Sequence, residues 1–167
     1  MKRFVLLILA ICLFLTVEAQ KTKREEIYQK TMMGESITAL FITYEEGGKT
    51  DTIVVFSCQD HRYEQLTEYI NLYSGDCQEF YDFMCAIEKF CDKNEKEVGD
   101  GVEISETIEG HRVRLVKNYN ILGLYIYESS KDGNGYHSFA VKKFKKIKPI
   151  FVEWCKNKNI KLDLTEK

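Results

Sequence analysis

Five cysteines, Cys58, Cys77, Cys85, Cys91 and Cys155, and three histidines, His61, His111 and His137, are the residues of this 167-residue chain best suited to do chemistry. A thiol becomes a useful nucleophile at neutral pH only when a base or a positive charge draws off its proton. The segment Ser57-Cys58-Gln59-Asp60-His61 contains a thiol, a carboxylate and an imidazole within a few residues, which makes Cys58 and His61 catalytic candidates. Cys85 joins them as the most accessible thiol of a helix. Against this reading, Ser57 and Cys58 end a strand and point to opposite faces, and catalytic triads are assembled across a fold, not from sequence neighbours. Acidic groups such as Asp76, Glu79 and Asp82, or Glu103, Glu106 and Glu109, offer carboxylate pairs of the glycosidase kind but are too common here to discriminate. No C-x-x-C, H-E-x-x-H, G-x-S-x-G, phosphate-binding glycine loop or dinucleotide fingerprint is present, so neither a metal nor a cofactor is expected.

The cysteines bear on compartment as well as on catalysis. All five are disulfide candidates, and an odd count in an exported chain leaves at least one thiol unpaired. Cys77, Cys85 and Cys91 fall within one helical pattern, where six residues span about 9 Å and eight about 12 Å, beyond the roughly 7 Å limit for bridged alpha carbons. Any bridge must therefore use Cys58 or Cys155. A sixth cysteine, Cys12, lies in an uncharged run from Phe4 to Val17 that follows Lys2 and Arg3, the pattern of a secretory signal ending at Ala19. That run is short for a membrane span, which needs about 20 apolar residues. The expectation is an exported protein, periplasmic or extracellular, with no stable membrane span after signal cleavage.

The elements that must position these residues follow from periodicity. Residues 20–35 are polar and mixed in charge and read as a mobile arm or a loosely docked short helix. Ser36 to Glu46 reads as a strand with apolar residues on both faces, hence an interior or covered strand. Gly47 and Gly48 turn it into a second strand, Thr52 to Cys58. Tyr63 to Tyr73 fits either a helix or a third strand, and the strand is preferred. Phe80, Phe83, Met84, Ile87, Phe90 and Cys91 recur at helical spacing, so Asp76 to Lys93 is a helix that Ser74 or Asp76 can cap. Val102 to Ile108, His111 to Lys117, Ile121 to Tyr127 and Tyr136 to Ala140 read as strands, and Val141 to Asn157 as a closing helix that Pro149 kinks or divides.

These readings give a single α+β domain over residues 36–160, a signal at 1–19, a polar arm at 20–35 and a tail at 161–167. Its expected architecture is one antiparallel sheet of about five to six strands with two main helices packed on one face, in the order strands, helix, strands, helix.

Charge is segregated along the chain. Residues 57–110 hold 14 acids and 4 bases, whereas residues 111–167 hold 13 bases and 5 acids, within a net charge of only −2. One reading is a basic patch of Arg112, Arg114, Lys142, Lys145 and Lys146 that meets an anionic partner; the other is that the two halves face each other. Tyr136 and His137, with Trp154 nearby in sequence, are candidates for an aromatic ligand platform. Nucleic acid is not an expected partner, because no binding motif accompanies the bases. The function class that fits is a non-catalytic exported binding or interaction domain for a protein or anionic glycan. The alternatives are a small thiol- or histidine-dependent hydrolase and a structural homo-oligomer that pairs its acidic and basic halves.

Overall fold

A computed structural model describes residues 21–30, 34–44, 49–62, 68–129 and 135–165. The proposed signal, Cys12, the Gly47-Gly48 turn and the Asp132 to Asn134 loop lie outside the described residues. The chain is α+β, but among the described residues the strands form two antiparallel four-stranded sheets and not one sheet of five or six. The first sheet runs β1 (Lys21–Lys30), β2 (Glu35–Thr43), β3 (Thr50–Gln59) and β4 (Tyr69–Gly75) in sequence order. Helix α1 (Cys77–Asn94) follows. The second sheet repeats the meander with β5 (Glu103–Ile108), β6 (His111–Asn118), β7 (Ile121–Tyr127) and β8 (Tyr136–Ala140). A single turn, α2 (Val141–Phe144), and helix α3 (Ile147–Asn157) close the chain.

The strand absent from the sequence reading is β1, which replaces the expected arm. Its sequence KTKREEIYQK is charged because it is an edge strand with most side chains in solvent, and only Glu25, Ile27, Tyr28 and Lys30 are partly buried. Charges on an edge also discourage pairing with another chain. Its partner β2 is the interior strand that the two apolar faces imply, paired with β1 on one side and β3 on the other. The folded unit therefore begins at least as early as Lys21. At the other end the tail is docked as far as Asp163: Leu162 packs on the core, and Gln78 on α1 exchanges two hydrogen bonds with the Asp163 backbone.

Turn chemistry sets the second sheet. Glu109 and Gly110 (φ 47° and 83°) join β5 to β6, and Tyr119 and Asn120 (φ 49° and 65°) join β6 to β7. Two consecutive left-handed residues make the tight hairpin whose twist matches the strands it connects.

Helix α1 carries a full capping box: the Asp76 carboxylate accepts from the Glu79 backbone N–H, and the Glu79 carboxylate accepts from the Asp76 N–H. Its apolar stripe of Phe80, Phe83, Met84, Ile87, Phe90 and Cys91 is buried, and the helix contacts β3 and β4 of one sheet and β5 and β6 of the other. Helix α3 returns to the first sheet, where it meets β1. Phe139 of β8, Phe56 of β3, Phe80 of α1 and Phe151 of α3 are in successive ring contact, so both sheets share one core. The break between α2 and α3 falls at Lys145 and Lys146, and Pro149 is the third residue of α3. In the first turn a proline lacks no intrahelical donor, so here it starts a helix and does not bend one.

Candidate functional site

The ends of β3 and β8 meet where the two sheets come together. The His61 backbone N–H donates to the Tyr136 carbonyl at 2.9 Å, although no ladder connects the sheets elsewhere among the described strands. Asp60, 1% exposed, anchors this seam. Its carboxylate accepts from the Arg62 backbone, from Arg62 Nε and Nη2, and from the Tyr136 backbone N–H. Burial works to raise this carboxyl, but those hydrogen bonds outweigh it and hold the group below the ordinary range. Gly135 is needed beside it, since a Cβ there would come within 2.9 Å of Ile70 and 3.2 Å of Asp60.

His61 completes the seam. Its Nδ1 accepts from the Ser138 backbone N–H at 3.2 Å, so that nitrogen is unprotonated and the Ser138 hydroxyl, 2.9 Å away, donates to it as well. The imidazole thus stands in for a carbonyl at the edge of β8. A serine that shares its base with its own backbone amide is poorly placed for activation, because the lone pair is already engaged.

Beneath His61, at 4.0 Å between ring centroids, lies His137, with no exposure at all. Its Nδ1 donates to the Gln59 carbonyl at 2.7 Å, which fixes the tautomer on that side. Its Nε2 faces Glu35 Oε1 at 3.6 Å, and Glu35, 3% exposed, also accepts from the Tyr28 hydroxyl at 2.8 Å. Burial favours the neutral acid at Glu35, but His137, Tyr28 and Lys30 together outweigh it and keep its carboxyl lowered. His137 is therefore a structural group inside the molecule and not the surface ligand contact that its place beside Tyr136 implies.

The solvent face of the second sheet holds the groups best placed to meet a ligand. Cross-strand register sets Arg114 of β6 opposite Tyr125 of β7, which lies opposite Ser138 of β8. The Arg112 guanidinium sits 3.7 Å above the Tyr127 ring, and that of Arg114 4.7 Å from Tyr125. Tyr136 packs against both Tyr125 and Tyr127, at 5.8 and 5.4 Å. Gln59, His61, Tyr125, Tyr136 and Ser138 line an open cavity of about 390 Å³ beside them. Arg114 pairs with Glu103 on the edge strand, and its buried Nε has no partner among the described residues. The structure brings Arg112 and Arg114 beside Tyr136, whereas the sequence groups the arginines with Lys142, Lys145 and Lys146 and sets Tyr136 with His137 and Trp154. Tyr125 and Tyr127 were missed; the signal was present, since alternation along β7 sets them on one face, but its direction awaited the sheet.

The remaining candidates are dispersed. Trp154 lies on α3 against the first sheet, where its Nε1 donates to Glu25 and its ring meets Phe41 at 6.1 Å, so it takes no part in a platform with Tyr136. Lys142 and Lys145, with Lys117 and Lys143, line a separate cavity of about 600 Å³ floored by Ile121, Leu122, Ala140 and Val141. Lys145 pairs there with Asp92 and Glu95, and Lys148 with Glu88, so part of the segregated charge is neutralised between α1 and the C-terminal segment. Lys146 is exposed and is not among the residues lining that cavity.

Cys58 is wholly buried on β3, and burial together with nearby Glu35 pushes its thiol well above the ordinary range, the opposite of what a nucleophile needs. Cys85 is half-buried on α1, with Lys148 Nζ 3.8 Å from its sulfur. All five described cysteines are free, so none of the disulfide candidates is bridged. Among the described residues no group of three or more His, Cys, Asp or Glu is placed to hold a metal ion, and no helix is long and apolar enough to cross a membrane. No family model, curated protein or solved structure matches this chain.

Proposed function

We propose that the chain is an exported, non-catalytic binding domain whose ligand surface is the arginine and tyrosine face of the second sheet, and that its ligand is an acidic glycan. The observation that carries this reading is the stacking of Arg112 and Arg114 on Tyr127 and Tyr125 beside the cavity lined by Tyr136, His61 and Gln59. The Arg112 guanidinium, held over the Tyr127 ring, keeps its N–H edge available for a carboxylate or sulfate with less conformational entropy lost on binding, and Arg114, paired with Glu103, adds positive charge beside it. Tyr125 and Tyr136, both partly exposed at the cavity, supply the apolar face on which a sugar ring packs, and the amide, imidazole and hydroxyl groups around the cavity supply hydrogen bonds to its hydroxyls.

Titration of the protein with oligogalacturonate, against neutral dextran as control, tests this by calorimetry. Saturable binding to the acidic sugar that weakens with added salt and is lost in Arg112→Ala/Arg114→Ala supports the reading. Equal binding to both sugars, or none to the acidic one, overturns it.

A second reading is an acidic protein segment in the lysine-lined cavity. It is favoured by Lys117, Lys142 and Lys143, which have no ion-pair partner among the described residues and stand beside an apolar floor. A glutamate-rich peptide that binds wild type but not Lys142→Glu/Lys143→Glu would move the ligand surface there. The homo-oligomer reading loses part of its footing, because Lys145 and Lys148 already meet acids of their own chain.

A further inference from the structure

Apolar side chains left in solvent are concentrated at one end of the second sheet. Among the described residues six large apolar side chains are exposed, and three of them, Val102, Tyr119 and Ile121, lie there, at 46%, 97% and 62% exposure. Tyr119 and Asn120 form the β6–β7 turn between the paired residues Asn118 and Ile121. Val102 immediately precedes β5, whose first residue, Glu103, pairs with Val116, and Asp100 bridges to Lys117. Tyr119 is also costly where it stands. Its φ of 49° is a left-handed position suited to glycine, asparagine or aspartate, and its ring gains almost no burial to offset the strain.

Lysines flank this tip. Lys117 stands two residues before Tyr119, and with Lys142 and Lys143 it lines the cavity to which Asn120 and Ile121 also contribute. These three lysines have no ion-pair partner among the described residues, whereas Glu95 beside them is paired with Lys145. Asp100 alone opposes them at the rim, so this end of the sheet is positive.

We propose that this end of the second sheet docks the protein onto an anionic lipid bilayer, with Tyr119 and Ile121 entering the headgroup layer and Lys117, Lys142 and Lys143 meeting its phosphates. Tyrosine suits such an interface, because its ring has an apolar body and its hydroxyl stays wet. Ile121 gains burial at the acyl boundary, and each lysine gains from the negative surface potential. The shape favours a bilayer over a protein segment: a turn whose aromatic projects into solvent enters a soft layer but gives a peptide no wall to lie against. The tip lies at the far end of β6 from Arg112, so docking requires no glycan and the two readings fail separately.

The test uses the protein from Gln20 onward, which keeps every described element and omits the run Phe4 to Val17, whose apolar side chains would bind lipid by themselves. It is sedimented with vesicles of equal parts phosphatidylglycerol and phosphatidylcholine, and with phosphatidylcholine alone. Binding to the mixed vesicles should be on the order of a hundredfold tighter, about a factor of five for each of the three lysines. Lys142→Glu/Lys143→Glu should remove that preference. Tyr119→Asn/Ile121→Thr should weaken binding roughly tenfold or more, and it keeps the fold, because asparagine suits the left-handed backbone and threonine suits a strand. In Tyr119→Trp, the emission beyond that of the single native Trp154 should shift to the blue on mixed vesicles. Equal binding to both vesicle types, undiminished binding by Tyr119→Asn/Ile121→Thr, or an unshifted emission overturns the proposal. So does binding of a glutamate-rich peptide by protein that ignores the vesicles.

Discussion

The Glu35 carboxylate and the His137 imidazole face each other 3.6 Å apart at a place with almost no solvent access, one on the second strand and the other on the last. Nδ1 of His137 is committed as a donor to Gln59, so the contact with a carboxylate is attractive when Nε2 also carries a proton. Tyr28 donates to the second Glu35 oxygen. Removing one partner of such a pair strands the other without water. Glu35→Leu and His137→Phe should each cost about 3–5 kcal/mol, and the double variant markedly less than their sum, as read by urea unfolding. Additive losses would show that the two do not act as a pair.

The same groups set the response to acid. Glu35 and Asp60 are both lowered in the folded state, from ordinary values of 4.5 and 3.8. Their contribution is therefore fully present above those values and is lost as pH falls through the folded ones. His111 acts at higher pH. Burial holds it below 6.5 despite its bond to the Tyr127 carbonyl, so the unfolded chain binds more protons and stability declines as pH drops from about 6.5. Urea midpoints at pH 7.5, 6 and 4 should fall in that order, and the His111 ring should titrate below 6.5 by NMR. A midpoint that rises on acidification would contradict both assignments.

Thiol reactivity should follow burial. A small maleimide added to native reduced protein at neutral pH should label Cys85 ahead of Cys58, Cys91 and Cys155, which are enclosed and raised. The enclosed three should label fully only in denaturant. Rapid native labelling of Cys58 would reopen the thiol-enzyme reading.

Two helix starts should respond differently to alanine. Asp76→Ala removes the acceptor for the Glu79 N–H and half of the capping box, at a cost of about 1 kcal/mol. Pro149→Ala, in the first turn of α3, breaks no hydrogen bond and should shift stability by less than about 1 kcal/mol. Thermal melts of the two variants beside wild type compare them directly. A larger loss for Pro149→Ala would mean that proline stiffness holds α3 in place.

Local pattern alone made α1 and its cap legible: the three- and four-residue recurrence from Phe80 to Cys91, after Asp76, permits no comparable strand. The same holds for the run of β5, β6 and β7, whose turn residues at Gly110 and Asn120 carry the left-handed backbone that the hairpins need. Other features had no local signature. The charged strand β1 has little apolar alternation, since an edge strand is held by its backbone bonds to β2 and needs no buried face of its own. The division into two sheets depends on which strand edges meet, and sequence patterning fixes faces but not edges. Only the fold could bring Glu35 of β2 to His137 of β8, because the two lie about a hundred residues apart in sequence on different sheets, whereas Arg112 and Arg114 meet Tyr127 and Tyr125 across a single hairpin whose turn sets the register. Sequence by itself determined the element types and the residues that could do chemistry; tertiary structure decided which of them are enclosed, which face solvent and which touch, because burial and contact are properties of packing.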